Sequence, residues 1–282
     1  MTSASPSTPS GVGKTALGVA AVRAQESQRP DSLFDDPYAQ AFLDAAPGAF
    51  AAEHATANDR RPMAALGAAF AFHGVLRTRF FDDYLLTATT AGCAQVVLLA
   101  AGLDTRAFRL PWPPGVHVFE LDLPDVLTFK ERVLNEQGAR PQCTRTIVPA
   151  DLRANWAETL TQAGFRATTP TIWLAEGLLL YLSAEDATAL LNEVGDLSAP
   201  GSHLACEHGD IADNSLLAHA RTTPSMDQYT TLWKGGLGPD TPEGLTRHGW
   251  RVDTHDRATL AASYHRAVPD SSSGKFITAV RA

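Results

Sequence analysis

Acidic residues recur at the downstream ends of short apolar runs. Asp104 follows the run 96–102, Glu120 and Asp122 close 116–122, Asp151 closes 145–151 and Glu176 closes 171–176. Carboxylates beside an apolar sheet need donors, so the pattern implies a ligand rich in hydrogen-bond donors. Glu120 and Asp122 are two apart and share one face of an extended chain, while Phe119 and Leu121 point the other way. Asp122 stands 20 positions after Gly102, the placement at which an acid holds ribose hydroxyls. A dinucleotide would want three glycines in the loop after the first run. Here 100–106 reads Ala-Ala-Gly-Leu-Asp-Thr-Arg, with one glycine and an Asp104 that repels phosphate. S-adenosylmethionine, which has a ribose and an adenine but no phosphate, suits this loop better than NAD.

Two other motifs lead elsewhere. Gly11-Val12-Gly13-Lys14-Thr15 resembles the end of a P-loop, but Thr8 stands where the first glycine belongs and no apolar strand precedes it. His203, Cys206, Glu207, His208 and Asp210 include possible metal ligands, and His203 and Glu207 would share a strand face. No second cluster at metal-site spacing accompanies them, so no metal is expected.

The elements that position these residues follow from periodicity. The short apolar runs read as strands, those near 96–102 being apolar enough to be buried on both faces. Helical text separates them at 124–137, 155–163 and after Ser183, a candidate cap with Asp186 at the partner position. A fifth strand is expected at 202–207, a short one at 250–252, a helix at 258–265 and a last strand at 275–280. Strand and helix alternate, which gives an α/β fold with a mostly parallel sheet. Residues 1–12 read as a flexible tail and 13–282 as one domain. Within it, 13–90 is an Ala-rich helical cover, 95–210 the ligand-binding core, 211–247 a Pro- and Gly-rich lid insertion with Tyr229 and Trp233, and 248–282 the closing strands and helix.

Composition narrows the partners. With 23 Lys and Arg against 31 Asp and Glu, the net charge of −8 offers no basic footprint for nucleic acid or an anionic membrane. The longest apolar runs fall short of the ~20 residues that span a bilayer. Three widely spaced cysteines indicate neither a disulfide framework nor zinc, and a reducing cytoplasm is expected. The oligomeric state is not legible.

Several blocks together resemble the leucine carboxyl methyltransferase family, in its bacterial S-adenosylmethionine-dependent O-methyltransferase branch. They are Ala101-Gly102-Leu103-Asp104-Thr105-Arg106, Phe119-Glu120-Leu121-Asp122-Leu123-Pro124, Asp151-Leu152-Arg153 and the stretch from Ala175-Glu176-Gly177 to Tyr181-Leu182. Asp36-Pro37-Tyr38 and Arg77-Thr78-Arg79 stand upstream. The resemblance implies a Rossmann-like class I methyltransferase fold with a seven-stranded sheet whose last strand is antiparallel. It also implies roles. Arg77, Gly102, Leu121, Asp122, Asp151, Leu152 and Glu176 would hold S-adenosyl-L-methionine, and Arg79 and Tyr181 the acceptor. Either Arg77 or Arg79 could take the methionine carboxylate or the acceptor carboxylate. Many relatives have glycine where this chain has Ala100.

Carboxyl methylation of a natural product or a peptide C-terminus is the expected reaction, leaving S-adenosyl-L-homocysteine. A carboxylate is already ionised at neutral pH, so no catalytic base is required. A hydroxyl acceptor would need one, with His73, His203 and His208 as candidates. A non-catalytic S-adenosylmethionine-binding protein is the alternative outside enzymes, and a dehydrogenase a more distant one.

Overall fold

The computed structural model describes residues 12–48, 60–208, 220, 222, 230–268 and 274–282. Nearly all of the expected tail and about half of the expected lid, including Tyr229, lie outside them. The sheet has seven strands in the order β3-β2-β1-β4-β5-β7-β6. They are β1 (Gln95–Leu99), β2 (His117–Asp122), β3 (Thr144–Pro149), β4 (Thr171–Ala175), β5 (His203–His208), β6 (Trp250–Asp256) and β7 (Lys275–Arg281). β1 to β5 are parallel, and β7 runs antiparallel to both β5 and β6. The strand expected at 250–252 extends to Asp256, because pairing with β7 continues through Asp256 and Lys275.

The helices are α1 (Val12–Ser27), α2 (Ala39–Asp44), α3 (Arg60–Thr90), α4 (Arg106–Arg109), α5 (Pro124–Glu136), α6 (Trp156–Gln162), α7 (Ala184–Asp196), α8 (Thr241–Arg247) and α9 (Arg257–Ser263). Pro62 does not break α3, since it falls in the first turn, where a missing N–H costs nothing. Ser183 caps α7 by accepting the Asp186 N–H at 3.1 Å.

Alternation along the strands builds two cores. Val96, Leu98, Val118, Ile172 and Leu174 face Leu17, Phe42, Leu76, Phe81 and Phe129 of α1, α2, α3 and α5. Val97, Leu99, Phe119, Leu121 and Trp173 face Trp156, Leu160, Leu190 and Val194 of α6 and α7. Every residue of β1 and β4 is therefore buried, and their apolar text after Gln95 and Thr171 is the direct trace of a sheet covered on both sides. No helix among the described residues is long and apolar enough to cross a membrane. The sequence of strands reverses between β1 and β4, and an open α/β sheet has its ligand crevice at such a switch point.

Candidate functional site

A cleft of about 280 Å³ opens at the carboxyl ends of β1, β2, β3 and β4, close to the roughly 300 Å³ at which small-ligand pockets begin. Its floor is the loop after β1. Ala100 has φ 52° and Gly102 φ 48°, a left-handed backbone that glycine adopts freely and alanine only with strain. A Cβ on Gly102 would lie 3.4 Å from the Ala16 Cβ of α1, so loop and helix meet closely there.

Of the residues expected at the site, the structure brings Arg77, Gly102, Asp122, Asp151, Leu152, Glu176 and Tyr181 to this cleft. Leu121 is not among its lining residues. Its side chain is fully buried in the core under α6, as the alternation that turns Asp122 outward requires. Arg79 also lies elsewhere. Its Nε donates to Asp83 Oδ2 at 2.9 Å and its Nη1 to the Leu33 carbonyl at 2.7 Å. Glu120 shares the Asp122 face but is fully buried below the cleft, held by Lys130 Nζ at 2.7 Å and Arg145 Nη2 at 2.6 Å.

Asp122 accepts two main-chain hydrogen bonds, from Gly102 N–H at 2.6 Å and Leu123 N–H at 2.7 Å. Burial pushes its carboxyl above the ordinary aspartate value. Asp151 is paired with Arg153 at 2.7 Å on the outer rim.

The inner end of the cleft is an ionic network. Arg77 Nε donates to Glu176 Oε1 at 2.8 Å and Nη1 to Glu207 Oε1 at 2.5 Å. Glu176 Oε2 lies 2.6 Å from Arg106 Nη1 but is buried with no aligned donor among the described residues. Arg106 also binds Asp104, and its Nε donates to Asp82 Oδ1 at 2.6 Å. Burial pushes the Asp104 carboxyl up, yet the Arg106 guanidinium outweighs it and holds the group at about 2.

Two features escaped the sequence reading. One wall of the cleft is α1, through Gly13, Thr15, Ala16, Val19 and Arg23, so the stretch that imitates a P-loop reaches the site without being one. Arg23 latches this helix, its Nη2 donating to the Leu103 carbonyl at 2.6 Å and its Nε to Asp36 Oδ2 at 2.7 Å. The other is the place of Glu207, at the end of β5, in the ionic network of the cleft; the sequence marks it only as a possible metal ligand. This carboxylate continues the rule of an acid at each strand end, and that rule could have found it. Further round the mouth, Lys234 and Gly235 N–H donate to the Leu180 carbonyl and Gly236 N–H to that of Leu182, bracketing Tyr181. Gly236 has φ 57°, and a Cβ there would sit 2.5 Å from the Leu179 oxygen, so the bracket requires glycine. No cluster of metal-ligating side chains occurs among the described residues. His203 is engaged by the Tyr84 hydroxyl at 2.9 Å.

These residues fit S-adenosylmethionine. Three arginines against four carboxylates line the cleft, a surplus of one negative charge that complements a ligand carrying one net positive charge. The buried Glu176 Oε2, in charge contact with Arg106 but without an aligned donor among the described residues, suits an ammonium, and no phosphate cradle is present in the loop after β1.

A sequence model of the family described as leucine carboxyl methyltransferase matches residues 16–195. A protein of Parafrankia sp. (strain EAN1pec), named for S-adenosyl-L-methionine-dependent methyltransferase activity, is 49% identical over 96% of this chain and 88% of its own length. One of the same description from Frankia alni is 51% identical over 97% and 95%. Among solved structures, a DUF574 family protein from Streptomyces avermitilis superposes with a TM-score of 0.63 at 15% identity, over 95% of this chain and 97% of that one.

Proposed function

The chain belongs to the leucine carboxyl methyltransferase family of S-adenosylmethionine-dependent methyltransferases, and we propose from its cleft that it methylates a carboxylate to a methyl ester. When bound, the cofactor supplies an electrophilic methyl group on a sulfonium. Asp122 would hold the ribose hydroxyls, Gly102 lets the backbone approach, and Asp151 and Leu152 would frame the adenine. Glu176 would receive the ammonium and Arg77 the adjoining carboxylate, through the Nη2 that Glu176 and Glu207 leave over.

The observation that carries the carboxylate reading is the lack of a free base at the cleft among the described residues. The lining includes no histidine, lysine or cysteine. Its carboxylates are engaged by arginines or main-chain amides, and Asp104, at about 2, is a poor proton acceptor. His73, behind Arg77, has both ring nitrogens occupied, by Glu207 and Arg257. Among the described residues of the cleft a phenol or alcohol would find no free base to deprotonate it, whereas a carboxylate needs only alignment and exclusion of water, effects worth up to roughly 10 kcal/mol. Tyr181, on the rim between the β4 loop and the 234–236 bracket, would orient the acceptor oxygen. A small natural-product acid or a peptide C-terminus suits this site, and the chain's three free cysteines suit a cytoplasmic setting.

The test is methyl transfer from isotopically labelled S-adenosylmethionine to panels of carboxylic acids, peptides and phenols. Label released as methanol by mild alkali marks an ester, and alkali-stable label on a phenol would overturn the carboxylate reading. Binding of S-adenosylhomocysteine with no turnover on any acceptor would favour a sensor.

A further inference from the structure

The methyl-transfer reading gives Glu207, a charged group of this network, no contact with either substrate. It joins the two groups assigned to the amino-acid end of the cofactor. Its Oε1 accepts from Arg77 Nη1 at 2.5 Å, and its Oε2 accepts the N–H of Gly177, the residue after Glu176. Gly177 has φ 63°, and a Cβ there would lie 3.3 Å from Arg77 Nη1, so that turn and the guanidinium are packed against each other.

Behind Glu207 stands a second pair. Arg257 Nη1 lies 2.7 Å from His73 Nδ1, and His73 Nε2 lies 3.3 Å from Glu207 Oε1. A guanidinium can only donate, so Nδ1 is the acceptor and the ring proton sits on Nε2, facing Glu207. The tautomer is thus set by Arg257, and the imidazole is packed on Phe276 with ring centroids 5.7 Å apart. Donors from α3, from the loop after β4 and from the Arg257–His73 pair converge on one carboxylate, which leaves it no alternative orientation.

We propose that Glu207, oriented by His73 and Arg257, is a positioning residue that fixes Arg77 and the Glu176 turn for the amino-acid end of S-adenosylmethionine. This rests on the assignment of that end to Arg77 and Glu176 made above. A guanidinium bound by one carboxylate alone can pivot about that contact. Bound on Nε by Glu176 and on Nη1 by Glu207, it presents Nη2 in a single direction. The orientation is set before ligand arrives, so less entropy is lost on binding.

Two ligands separate positioning from general damage. S-adenosylhomocysteine carries the amino-acid end, and 5′-methylthioadenosine carries the nucleoside and sulfur without it. Calorimetric titration of the full chain with both is expected to show Glu207→Gln losing about tenfold or more in S-adenosylhomocysteine affinity, the scale of one charge-assisted hydrogen bond, with methylthioadenosine changed by less than about twofold. His73→Phe, which keeps the ring packing and removes both bonds, should show the same selective loss more weakly. His73→Gln should recover most of it, because an amide can accept from Arg257 and donate to Glu207 at once. Equal loss of both ligands, or unchanged S-adenosylhomocysteine affinity in a folded variant, overturns the proposal. If Glu207→Gln does not fold, the His73 pair decides by the same criteria. A wild-type protein that binds S-adenosylhomocysteine no better than methylthioadenosine overturns instead the assignment of the amino-acid end.

Discussion

Asp122 Oδ2 accepts the main-chain N–H of Gly102 at 2.6 Å, joining the end of β2 to the loop after β1. The contact fixes the loop while leaving the carboxylate further lone pairs, since an ionised carboxylate offers about four acceptor sites. Its raised pKa is the signature of a charge kept partly out of water, and such a charge gains when hydroxyl donors reach it.

Asp122→Ala is therefore expected to weaken S-adenosylhomocysteine binding by more than about 1 kcal/mol. Asp122→Asn should lose less, because its carbonyl oxygen can still accept from Gly102. Calorimetry on both variants, with circular dichroism to verify folding, decides the matter. Unchanged affinity in a folded Asp122→Ala protein would remove this residue from the cofactor site.

The two arginines of the Arg77-Thr78-Arg79 stretch should behave oppositely. Arg77→Lys keeps a charge but loses the fork that meets Glu176 and Glu207 together, so S-adenosylhomocysteine affinity should fall about tenfold. Arg79→Lys touches a half-exposed i,i+4 pair with Asp83 and should leave affinity unchanged and stability within about 1 kcal/mol. Parallel effects of the two substitutions would contradict the placement of Arg79 outside the cleft.

The sequence reading assigned both arginines a ligand, Arg77 the cofactor and Arg79 the acceptor, but positions two apart on a helix point about 200° away from each other, and the docking of α3 turns only Arg77 into the cleft. Which of the two faces it depends on how α3 docks on the sheet, and no local pattern carries that. The same limit hid α1, whose Ala-rich text says helix but not which wall it builds. By contrast β1 and β4 were readable because burial on both faces leaves them apolar after their first residues, Gln95 and Thr171. Asp122 and Glu176 were readable because a carboxylate at the end of a buried strand has few reasons to be there other than a ligand or a cation, and Asp151 because it repeats that placement after the more exposed β3. Glu120 shows the second reason: Lys130, fully buried, neutralises it from α5, and only the packing of that helix reveals it. Ala100 at φ 52° holds a left-handed backbone that glycine would adopt with less strain, which no reading of the sequence alone reveals.

Acid should unfold the protein in two stages. Burial pushes the Glu207 carboxyl up, but the Arg77 guanidinium and the His73 N–H outweigh it and hold the group at about 2, as Arg106 does for Asp104. Folded values below the unfolded ones mean that these groups contribute stability fully above about pH 4.5 and lose it as pH falls toward 2, by a few kcal/mol. Burial lowers His73 from its ordinary 6.5, so its neutral form contributes stability that declines first, as pH drops below about 6.5. Denaturant unfolding across pH 8 to 3 should show a shallow fall below 6.5 and a steeper one below 4.5. His73→Gln should reduce the shallow step, to which His117, His203 and His255, also lowered by burial, contribute as well, and an unchanged step would exclude a contribution from His73.

Tyr181 separates binding from turnover. It lines the cleft within a bracket formed by Lys234, Gly235 and Gly236 on Leu180 and Leu182, on the side of Glu176 where an acceptor would approach. Tyr181→Phe keeps the ring and its packing and removes only the hydroxyl. Affinity for S-adenosylhomocysteine should therefore stay within about twofold, while turnover on a carboxylate acceptor should fall by roughly ten- to a hundredfold, the cost of one lost orienting hydrogen bond of about 1.5–3 kcal/mol. Loss of cofactor affinity with turnover per bound cofactor intact would move Tyr181 to the cofactor side of the cleft. It would leave the orientation of the acceptor to Arg77 and the chain segments around Trp233.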